Sequence, residues 1–479
     1  MCKGDHMENN NVIDSSILNE YDTLSQRNTN LKNAENIKEA INNVFNDFGI
    51  DASIKDYIVG PNVTRFALIT GKNVSIKAIS NLINDIQVRL GGLAVRLDMT
   101  SKDMFNIGLE VENIMQETVS FKELYEALPP VDKHPLAIPL GVNVNKKPTY
   151  LDLEDAPHIL ISGTVGSGKS ILINSMITTL IMRHTPKEVR LALFDPKTVE
   201  FNRYNNMPHL YSSIARDIKA AEKLLKDLQI EMEDRYEKFA ELGSSNLMEF
   251  NEEAEDNGYQ KLPYIIVIVD EYGDLIDANK DLAFYFICLA QKARAAGINL
   301  ILGVQNPTTN VVTGVLKANL PVHIGLMMSS FVDSMTILGE GGAEKLMGRG
   351  DMLIQSHLLS KLGLVRLQGA FIHRTEIKRV LDALKEKYKD IPPLNPINDK
   401  KVTNDLTNKT KQENEEDEHY KEIKKWVMTQ DFMSISRIQR ECAVGFNRAG
   451  RYFLRLQLEG IVSKESTKHG YPVIKKSEL

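Results

Sequence analysis

The sequence lacks the features of a membrane-embedded, a secreted or a broadly basic protein. No apolar run approaches the ~18–20 residues that a membrane-spanning helix requires, and the polar N-terminus is unlike a signal peptide. The three cysteines, Cys2, Cys288 and Cys442, are scattered without metal-ligand spacing, so no disulfide framework is expected. With 58 basic and 64 acidic residues the net charge is −6, so any contact with nucleic acid must be local. These absences predict a cytoplasmic protein.

Shifts in composition divide the 479 residues into five segments. Residues 1–33 are polar and rich in Asn and Ser, which is typical of a disordered arm. Residues 34–128 alternate the patterns of a small α+β domain, and residues 129–390 alternate strands and helices as a mostly parallel sheet requires. Residues 391–418 begin with two prolines and end in acidic residues, which indicates a linker to a domain at 419–479.

The most informative segment is the octamer at 163–170, which matches the phosphate-binding P-loop pattern at every fixed position. A buried strand is predicted before it at 157–162 and an apolar helix behind it at 171–182. Backbone amides of such a loop surround phosphate oxygens, and the helix presents its positive end to the same anion. We expect an ATP site here, with a plain glycine-rich turn as the alternative for the octamer alone. The predicted ATP-binding residues are Gly163, Thr164, Val165, Gly166, Ser167, Gly168, Lys169, Ser170 and Ile171.

A second segment supplies two acids at the end of an apolar, β-branched run, residues 264–271. Such a run predicts a strand buried on both faces of a parallel sheet, whose carboxyl end faces the ligand crevice. Asp270 is then expected to hold Mg²⁺ together with the Ser170 hydroxyl, and Glu271 to polarise the attacking water as general base. Lys169 is expected to reach the β- and γ-phosphates. The P-loop and the acids together indicate an NTPase, whereas solvated acids in a loop are the alternative.

The last sixty residues show the pattern of a winged helix. Helices are predicted at 420–429, 434–441 and 447–459, followed by two strands around a polar tip. Between residues 434 and 476, nine basic residues oppose three acids. Asn447, Arg448 and Arg451 begin the predicted recognition helix, where side chains meet bases or phosphates of DNA. DNA binding is favoured over the alternative, a protein-interaction module.

Taken together, these segments resemble the FtsK/SpoIIIE family of DNA translocases over nearly the whole chain. Residues 60–66 resemble the family's α region, and residues 444–449 resemble its γ winged helix. In the motor region the resemblance rests, in chain order, on residues 163–170, 195–197, 207–210, 269–275, 290–297, 312–319 and 342–346. It implies an α/β fold, a RecA-like P-loop NTPase motor with a small α+β domain before it and a winged helix after it.

The resemblance also implies a function and further site residues. It implies a homo-hexameric ring that threads double-stranded DNA through its pore and hydrolyses ATP to move along it, with a recombinase or other DNA-processing protein as a further partner. By position, Arg294 matches the arginine that completes the neighbouring subunit's ATP site, although a paired helix-surface arginine is the alternative. Gln305 matches the residue that senses the γ-phosphate, and Lys317 is the best matching cation for contact with DNA phosphates.

The chain departs from the family pattern where DNA contacts are implied. The usual Gln-Arg-Pro is Gln305-Asn306-Pro307, the usual Asp-Ser-Arg-Thr has Met335 in place of the arginine, and Phe331 occupies a position that is often polar or basic. Each missing phosphate contact is expected to weaken DNA binding and its salt dependence. No segment resembles the membrane-spanning region of cell-division members, so membrane association is expected only through a partner or a missing N-terminal region.

Two other functions stay open at this point. A coupling or secretion ATPase would recruit a protein or a nucleoprotein, as in mobile-element transfer, and the lost arginines favour it. A DNA-binding regulator would use ATP only to change its assembly state, and ATP turnover independent of DNA would favour it. The complete set of ATP-site motifs favours the DNA translocase.

Overall fold

The computed structural model describes residues 12–98, 107–361, 363–389, 420–442, 452–453, 455–457, 459–463 and 471–474. The chain forms two compact units that divide between residues 395 and 396. The first unit contains the α+β domain and the predicted motor, and the second contains the C-terminal domain. The predicted linker lies outside the described residues.

The N-terminal segment is ordered where the sequence predicted a disordered arm. A 3-10 turn covers Ser15–Ile17, and helix α1 begins at Leu24, inside the predicted arm. Ile13 donates a backbone hydrogen bond to Met182, and Asn19 donates one to the buried carboxylate of Glu376. The prediction was therefore wrong for residues 12–33, because polar composition does not reveal hydrogen bonds to residues far along the chain.

The α+β domain contains a four-stranded antiparallel sheet, and helices contribute to its apolar core. Its elements are α1 (Leu24–Asp47), β1 (Ala52–Val59), β2 (Val63–Thr70), α2 (Ile76–Asn81), α3 (Ile83–Arg89), β3 (Val95–Asp98) and β4 (Gly108–Glu112). The strands lie in the order β1-β2-β4-β3, and α2 and α3 meet at Leu82. Two arginines of the sheet form ion pairs, Arg65 with Asp98 at 3.1 Å and Arg96 with Glu110 at 3.3 Å.

The motor is built on a nine-stranded sheet. Its strands are β5 (Ala137–Val142), β6 (Pro148–Asp152), β7 (His158–Ser162), β8 (Val189–Phe194), β9 (Tyr264–Val269), β10 (Ile298–Val304), β11 (Val322–Leu326), β12 (Asp351–Gln355) and β13 (Val365–Gln368). They lie in the order β6-β5-β13-β12-β11-β7-β10-β9-β8. Strands β11, β7, β10, β9 and β8 are parallel neighbours, whereas β6, β5, β13 and β12 pair antiparallel. The expected mostly parallel sheet is therefore a mixed sheet, α/β in class as predicted.

Helices cover both faces of this sheet. Along β9, Ile266 and Ile268 point into one apolar core, while Ile265, Val267 and Val269 point into the other. This alternation explains why the strand reads as a continuous apolar run. The helices of this region are α4 (Phe121–Glu126), α5 (Lys169–Arg183), α6 (Ile218–Leu242), α7 (Leu247–Glu253), α8 (Tyr272–Ala278), α9 (Leu282–Lys292), α10 (Gly314–Ala318), α11 (Phe331–Leu338) and α12 (Arg374–Lys387).

The C-terminal unit has its own small core. Helix α13 covers 420–427 within the described residues, α14 covers Ile435–Glu441, and β14 (Phe432–Met433) pairs antiparallel with β15 (Tyr471–Pro472). Tyr420, Ile423 and Val427 recur at helical spacing and are buried against residues such as Leu456. Among the described residues, no helix is long and apolar enough to cross a membrane.

Candidate functional site

The P-loop connects β7 to α5 in a conformation that its glycines permit. Gly166 and Gly168 have φ angles of 80° and 105°, in the left-handed region that disfavours other residues. A Cβ atom on Gly168 would lie 2.5 Å from the Gly350 nitrogen, so this position also lacks space for a side chain. The sequence thus produces a tight turn that leads directly into the positive end of α5.

Three neighbouring segments hold this loop by backbone hydrogen bonds. Gly163 donates to Val304 at 3.2 Å, at the end of β10, and Thr164 donates to Met327 at 2.9 Å, just after β11. From a turn before β12, Arg349 donates to the Gly166 carbonyl at 3.2 Å and Gly350 to the Ser167 carbonyl at 2.7 Å. Hydrogen bonds therefore hold the loop on both sides of Val165, whose side chain is 85% exposed at the tip.

The structure brings Lys169, Asp270 and Glu271 together at this edge of the sheet. The three side chains are almost completely buried. Lys169 Nζ donates to the Asp270 carbonyl and lies 3.6 Å from both Asp270 Oδ1 and Glu271 Oε2. Because β7 and β9 both run parallel to β10, their carboxyl ends meet here, which is why residues so far apart in sequence converge.

The electrostatics of the two acids reflect this burial. Burial raises the pKa of Asp270 and of Glu271, and the charge of Lys169 opposes the increase in both. Glu271 Oε1 accepts a hydrogen bond from the Gln305 backbone nitrogen at 3.0 Å. Within the described part of the chain, Glu271 Oε2 is buried without a hydrogen-bond partner. A buried acceptor of this kind is suited to a water or ligand proton.

Lys197 belongs to the same group, although no role was predicted for it from the sequence. It follows β8, and its Nζ lies 3.1 Å from Asp274 Oδ2 and 3.9 Å from Glu271 Oε2. The buried Asp195 carboxylate fixes this loop by accepting from the Phe201 nitrogen at 2.8 Å. The position of Lys197 just after the parallel strand β8 could have indicated this, because the carboxyl ends of the parallel strands lie at the edge that carries the P-loop.

The residues present fit a nucleotide-bound Mg²⁺. Ser170 and Asp270 offer a hydroxyl and a carboxylate, the hard oxygen ligands that Mg²⁺ takes alongside phosphates and water. Among the described residues, no group of three or more His, Cys, Asp or Glu could hold a metal ion. A site of one hydroxyl and one carboxylate does not need such a group, because phosphates supply further ligands.

Arg294 lies at the opposite edge of the sheet. It stands between α9 and β10, and its guanidinium donates to the Glu154 carbonyl at 3.4 Å. Burial and, to a smaller degree, Arg294 lower the pKa of His158, the first residue of β7, to about 4. The seven residues of β10 separate this edge from the P-loop edge, a distance of roughly 20 Å. Arg294 is therefore remote from the P-loop of its own chain.

The motor positions at which the family resemblance implied DNA contacts do not form one basic surface. Lys317 in α10 donates to the Thr336 carbonyl at 2.8 Å, and burial lowers the pKa of its amine. Phe331 and Met335 in α11 are 57% and 41% exposed, and Asn306 is exposed after β10. In the C-terminal unit, Asn447, Arg448 and Arg451 lie outside the described residues.

Comparison with known families places the chain's three regions. The model of the FtsK/SpoIIIE family matches residues 126–309, that of the FtsK alpha domain matches residues 14–113, and that of the FtsK gamma domain matches residues 414–473. The gamma match confirms the predicted winged-helix domain, and the alpha match begins within the predicted arm. The three matches follow the predicted order.

Comparison with individual proteins gives the same family. The chain is 38% identical over 442 residues to the DNA translocase FtsK of Streptococcus pneumoniae, covering 91% of this chain and 57% of that protein. It is 37% identical over 433 residues to the DNA translocase SftA of Bacillus subtilis, covering 90% of this chain and 44% of that protein. The chain thus spans about half the length of these curated relatives.

Among solved structures, the chain resembles the pCW3 conjugation coupling protein TcpA, solved in a monomer form with ATPγS. The TM-score is 0.51 and the sequence identity 22%, over 72% of this chain and 99% of that one. At this identity the resemblance concerns the fold alone, and it agrees with the predicted P-loop motor fold.

Proposed function

The chain belongs to the FtsK/SpoIIIE family, and from this membership and the site geometry we propose that it is an ATP-driven motor that moves along double-stranded DNA. The observation that carries the proposal is the buried group of Lys169, Asp270 and Glu271 beside the P-loop, in a chain with the family's alpha, motor and gamma regions in order. The name of these relatives, DNA translocase, gives the substrate class.

The chemistry assigned to the site is ATP hydrolysis. The amides of residues 163–170 and the Lys169 amine bind the phosphates, which replace the carboxylates as the nearest anions to Lys169. Glu271, held through Oε1 by Gln305, accepts a proton from the attacking water at Oε2. Ser170 and Asp270 would hold Mg²⁺, which supplies positive charge to the phosphate oxygens when it is bound.

The distance between Arg294 and its own P-loop supports a ring in which subunits share ATP sites. In a head-to-tail ring, one face of each subunit meets the opposite face of the next. Arg294 would then reach the phosphates bound by the neighbouring subunit and stabilise charge on the transferred group. We propose a homo-hexamer with DNA in its pore, and a C-terminal winged helix that orients or loads the ring on DNA.

A coupling ATPase that recruits a protein or nucleoprotein is the second candidate. The observation that favours it is the apolar surface of α11, where Phe331 and Met335 occupy positions at which the family resemblance implied polar or basic side chains. The internal hydrogen bond of Lys317 points in the same direction. Such a protein would hydrolyse ATP at the same site without a response to bare DNA.

ATP turnover by the wild type and by Glu271→Gln, with and without long double-stranded DNA over a salt series, separates the two. The DNA motor predicts strong stimulation by DNA that weakens as salt rises and disappears in Glu271→Gln. Turnover that is lost in Glu271→Gln but indifferent to DNA at every salt concentration would contradict the DNA motor and support the coupling ATPase. Equal turnover by both proteins would contradict the assignment of Glu271.

A further inference from the structure

A polar cluster joins the α+β domain to the motor beneath the P-loop. We call Asn62, Glu110, Asp351, Arg366 and Gln368 the bridging cluster. Arg366 in β13 donates to Glu110 Oε2 in β4 at 2.6 Å, and to Asp351 Oδ1 and Oδ2 in β12 at 2.9 and 2.7 Å. The Arg366 guanidinium thus binds a carboxylate of the α+β domain, Glu110, and a carboxylate of the motor, Asp351. Its contact with Asp351 is bidentate.

The three charged side chains of the bridging cluster are buried. The side chains of Arg366, Glu110 and Asp351 are 9%, 3% and 3% exposed. Burial alone would disfavour the charged guanidinium, but Glu110 and Asp351 outweigh it and raise the pKa of Arg366. Arg96 adds a second cation at 3.3 Å from Glu110 Oε2. Removal of one member would therefore leave a buried charge with an incomplete set of partners, which is strongly unfavourable.

A short turn, residues 348–350, links this cluster to the P-loop. Asp351 follows the turn directly, and its Oδ2 also accepts from the Met347 nitrogen at 3.0 Å, so that one carboxylate closes the turn and binds Arg366. The other side of the turn donates the two hydrogen bonds to the Gly166 and Ser167 carbonyls. Arg349 has a φ angle of 51°, in the left-handed region, which requires support from its surroundings.

Gln368 provides a second connection between the same two regions. Its Nε2 donates to the Arg349 carbonyl at 2.9 Å, and its Oε1 accepts from the Asn62 side chain, which lies between β1 and β2. Asn62 is fixed in turn, because its carbonyl accepts from the Asn113 nitrogen at 2.8 Å. The turn is therefore connected to the α+β domain twice, through Asp351 and Arg366 to Glu110, and through Gln368 to Asn62.

We propose that Arg366 and Glu110 are positioning residues of the nucleotide site, through which the α+β domain holds the turn 348–350 and with it the P-loop. The inference rests on the proposed ATP site and assigns the α+β domain a part in it. Because the P-loop amides surround the phosphates, a shift of the turn changes phosphate binding directly. By reciprocity, ATP binding favours the arrangement in which the α+β domain is docked.

The test measures the affinity of the full chain for a fluorescent ATP analogue, together with KM and kcat for ATP and the melting temperature. Since a shifted turn weakens the hydrogen bonds from the P-loop amides to the charged phosphates, we expect Arg366→Met to raise Kd and KM by about tenfold or more. A smaller change in kcat is expected, because Lys169 and Glu271 are retained. Arg366→Lys keeps the positive charge but cannot bind Asp351 bidentately, so it should recover only part of the affinity for the ATP analogue.

The matched control is Arg235→Met, which removes a buried ion pair on α6 outside the bridging cluster, that of Arg235 with Glu231 at 2.8 Å. If the bridging cluster acts only on stability, both variants will lower the melting temperature and leave Kd unchanged, which would overturn the inference. Should Arg366→Met not fold, Glu110→Gln, which keeps the size of the side chain, decides by the same criterion. A wild type that does not bind the analogue would instead contradict the proposed ATP site.

Discussion

The nucleotide site and the α10–α11 surface, defined here by Asn306, Lys317, Phe331 and Met335, differ in how they are built. The nucleotide site rests on backbone groups and buried side chains at the carboxyl ends of parallel strands. The α10–α11 surface consists of side chains on two short helices and the loop before them, three of them exposed. We therefore expect that ATP turnover and DNA binding can be changed separately in this chain.

The largest expected effect concerns Arg294. If it acts on a neighbouring subunit's ATP, Arg294→Ala should reduce DNA-stimulated turnover by roughly 1,000-fold or more, because such arginines stabilise charge in the transition state. Binding of an ATP analogue by the isolated subunit should remain, since Arg294 lies at the other edge of the sheet. Steady-state ATPase assays and analogue titration measure the two effects.

Mixing variants tests whether Arg294 acts between subunits. A mixture of Arg294→Ala and Glu271→Gln subunits can form complete sites in which one subunit supplies the P-loop with Glu271 and the other supplies Arg294. We therefore expect turnover in the mixture above that of either variant alone. No recovery in rings that contain both subunits would indicate that Arg294 is a surface residue with a local role.

An intermediate effect is expected at the P-loop itself. In Gly168→Ala, a left-handed φ of 105° costs about 1–2 kcal/mol, and the added Cβ also meets the Gly350 nitrogen. We expect a loss of ATP-analogue affinity of at least about tenfold, because the amides that face the phosphates are displaced. Equilibrium titration and thermal unfolding measure affinity and stability.

Gly243→Ala is the matched control for this variant. Gly243 ends α6 with a φ angle of 76°, and a Cβ there meets no atom within 4 Å. The control should show the cost in stability without the loss of affinity. Equal affinity in Gly168→Ala and Gly243→Ala would mean that the close approach of the turn 348–350 is not required for ATP binding.

The smallest expected effect restores charge to the α10–α11 surface. Met335→Arg and Asn306→Arg should each strengthen DNA binding and increase the slope of log K against log salt by about one, the value for one phosphate contact. ATP affinity without DNA should not change. Val88→Arg adds the same charge on α3, where Val88 is 80% exposed, and controls for non-specific attraction. A similar slope for all three variants would show that the α10–α11 surface is no special DNA contact.

Sequence patterns predicted the elements that carry local signals. The helix behind the P-loop octamer and the apolar strand before Asp270 each depend on nearby residues, and both are present with small shifts of their ends. The FtsK/SpoIIIE assignment and the ATPase motor fold are confirmed at the level of the family. The trans role of Arg294, the sensing role of Gln305 and the DNA contacts stay predictions.

Features that depend on distant partners were not predicted. The antiparallel strands β5, β6, β12 and β13 are short, and their pairing joins segments that precede and follow the parallel strands in sequence. The N-terminal segment looks disordered by composition because its order comes from α12, through Glu376 and Arg379. Lys197 belongs to one of the family motifs, residues 195–197, but its contacts could not be predicted. It follows β8, whereas its neighbours Glu271 and Asp274 follow β9.

The proposed motor uses ATP hydrolysis at Lys169, Asp270 and Glu271 to move along double-stranded DNA. The most direct test is displacement of a short third strand from a defined site on a long duplex, with wild type and Glu271→Gln compared in ATP. We expect displacement by the wild type that depends on ATP and on duplex length beyond the site, and none by Glu271→Gln. ATP turnover by the wild type without displacement, under salt conditions in which it binds the duplex, would contradict the claim.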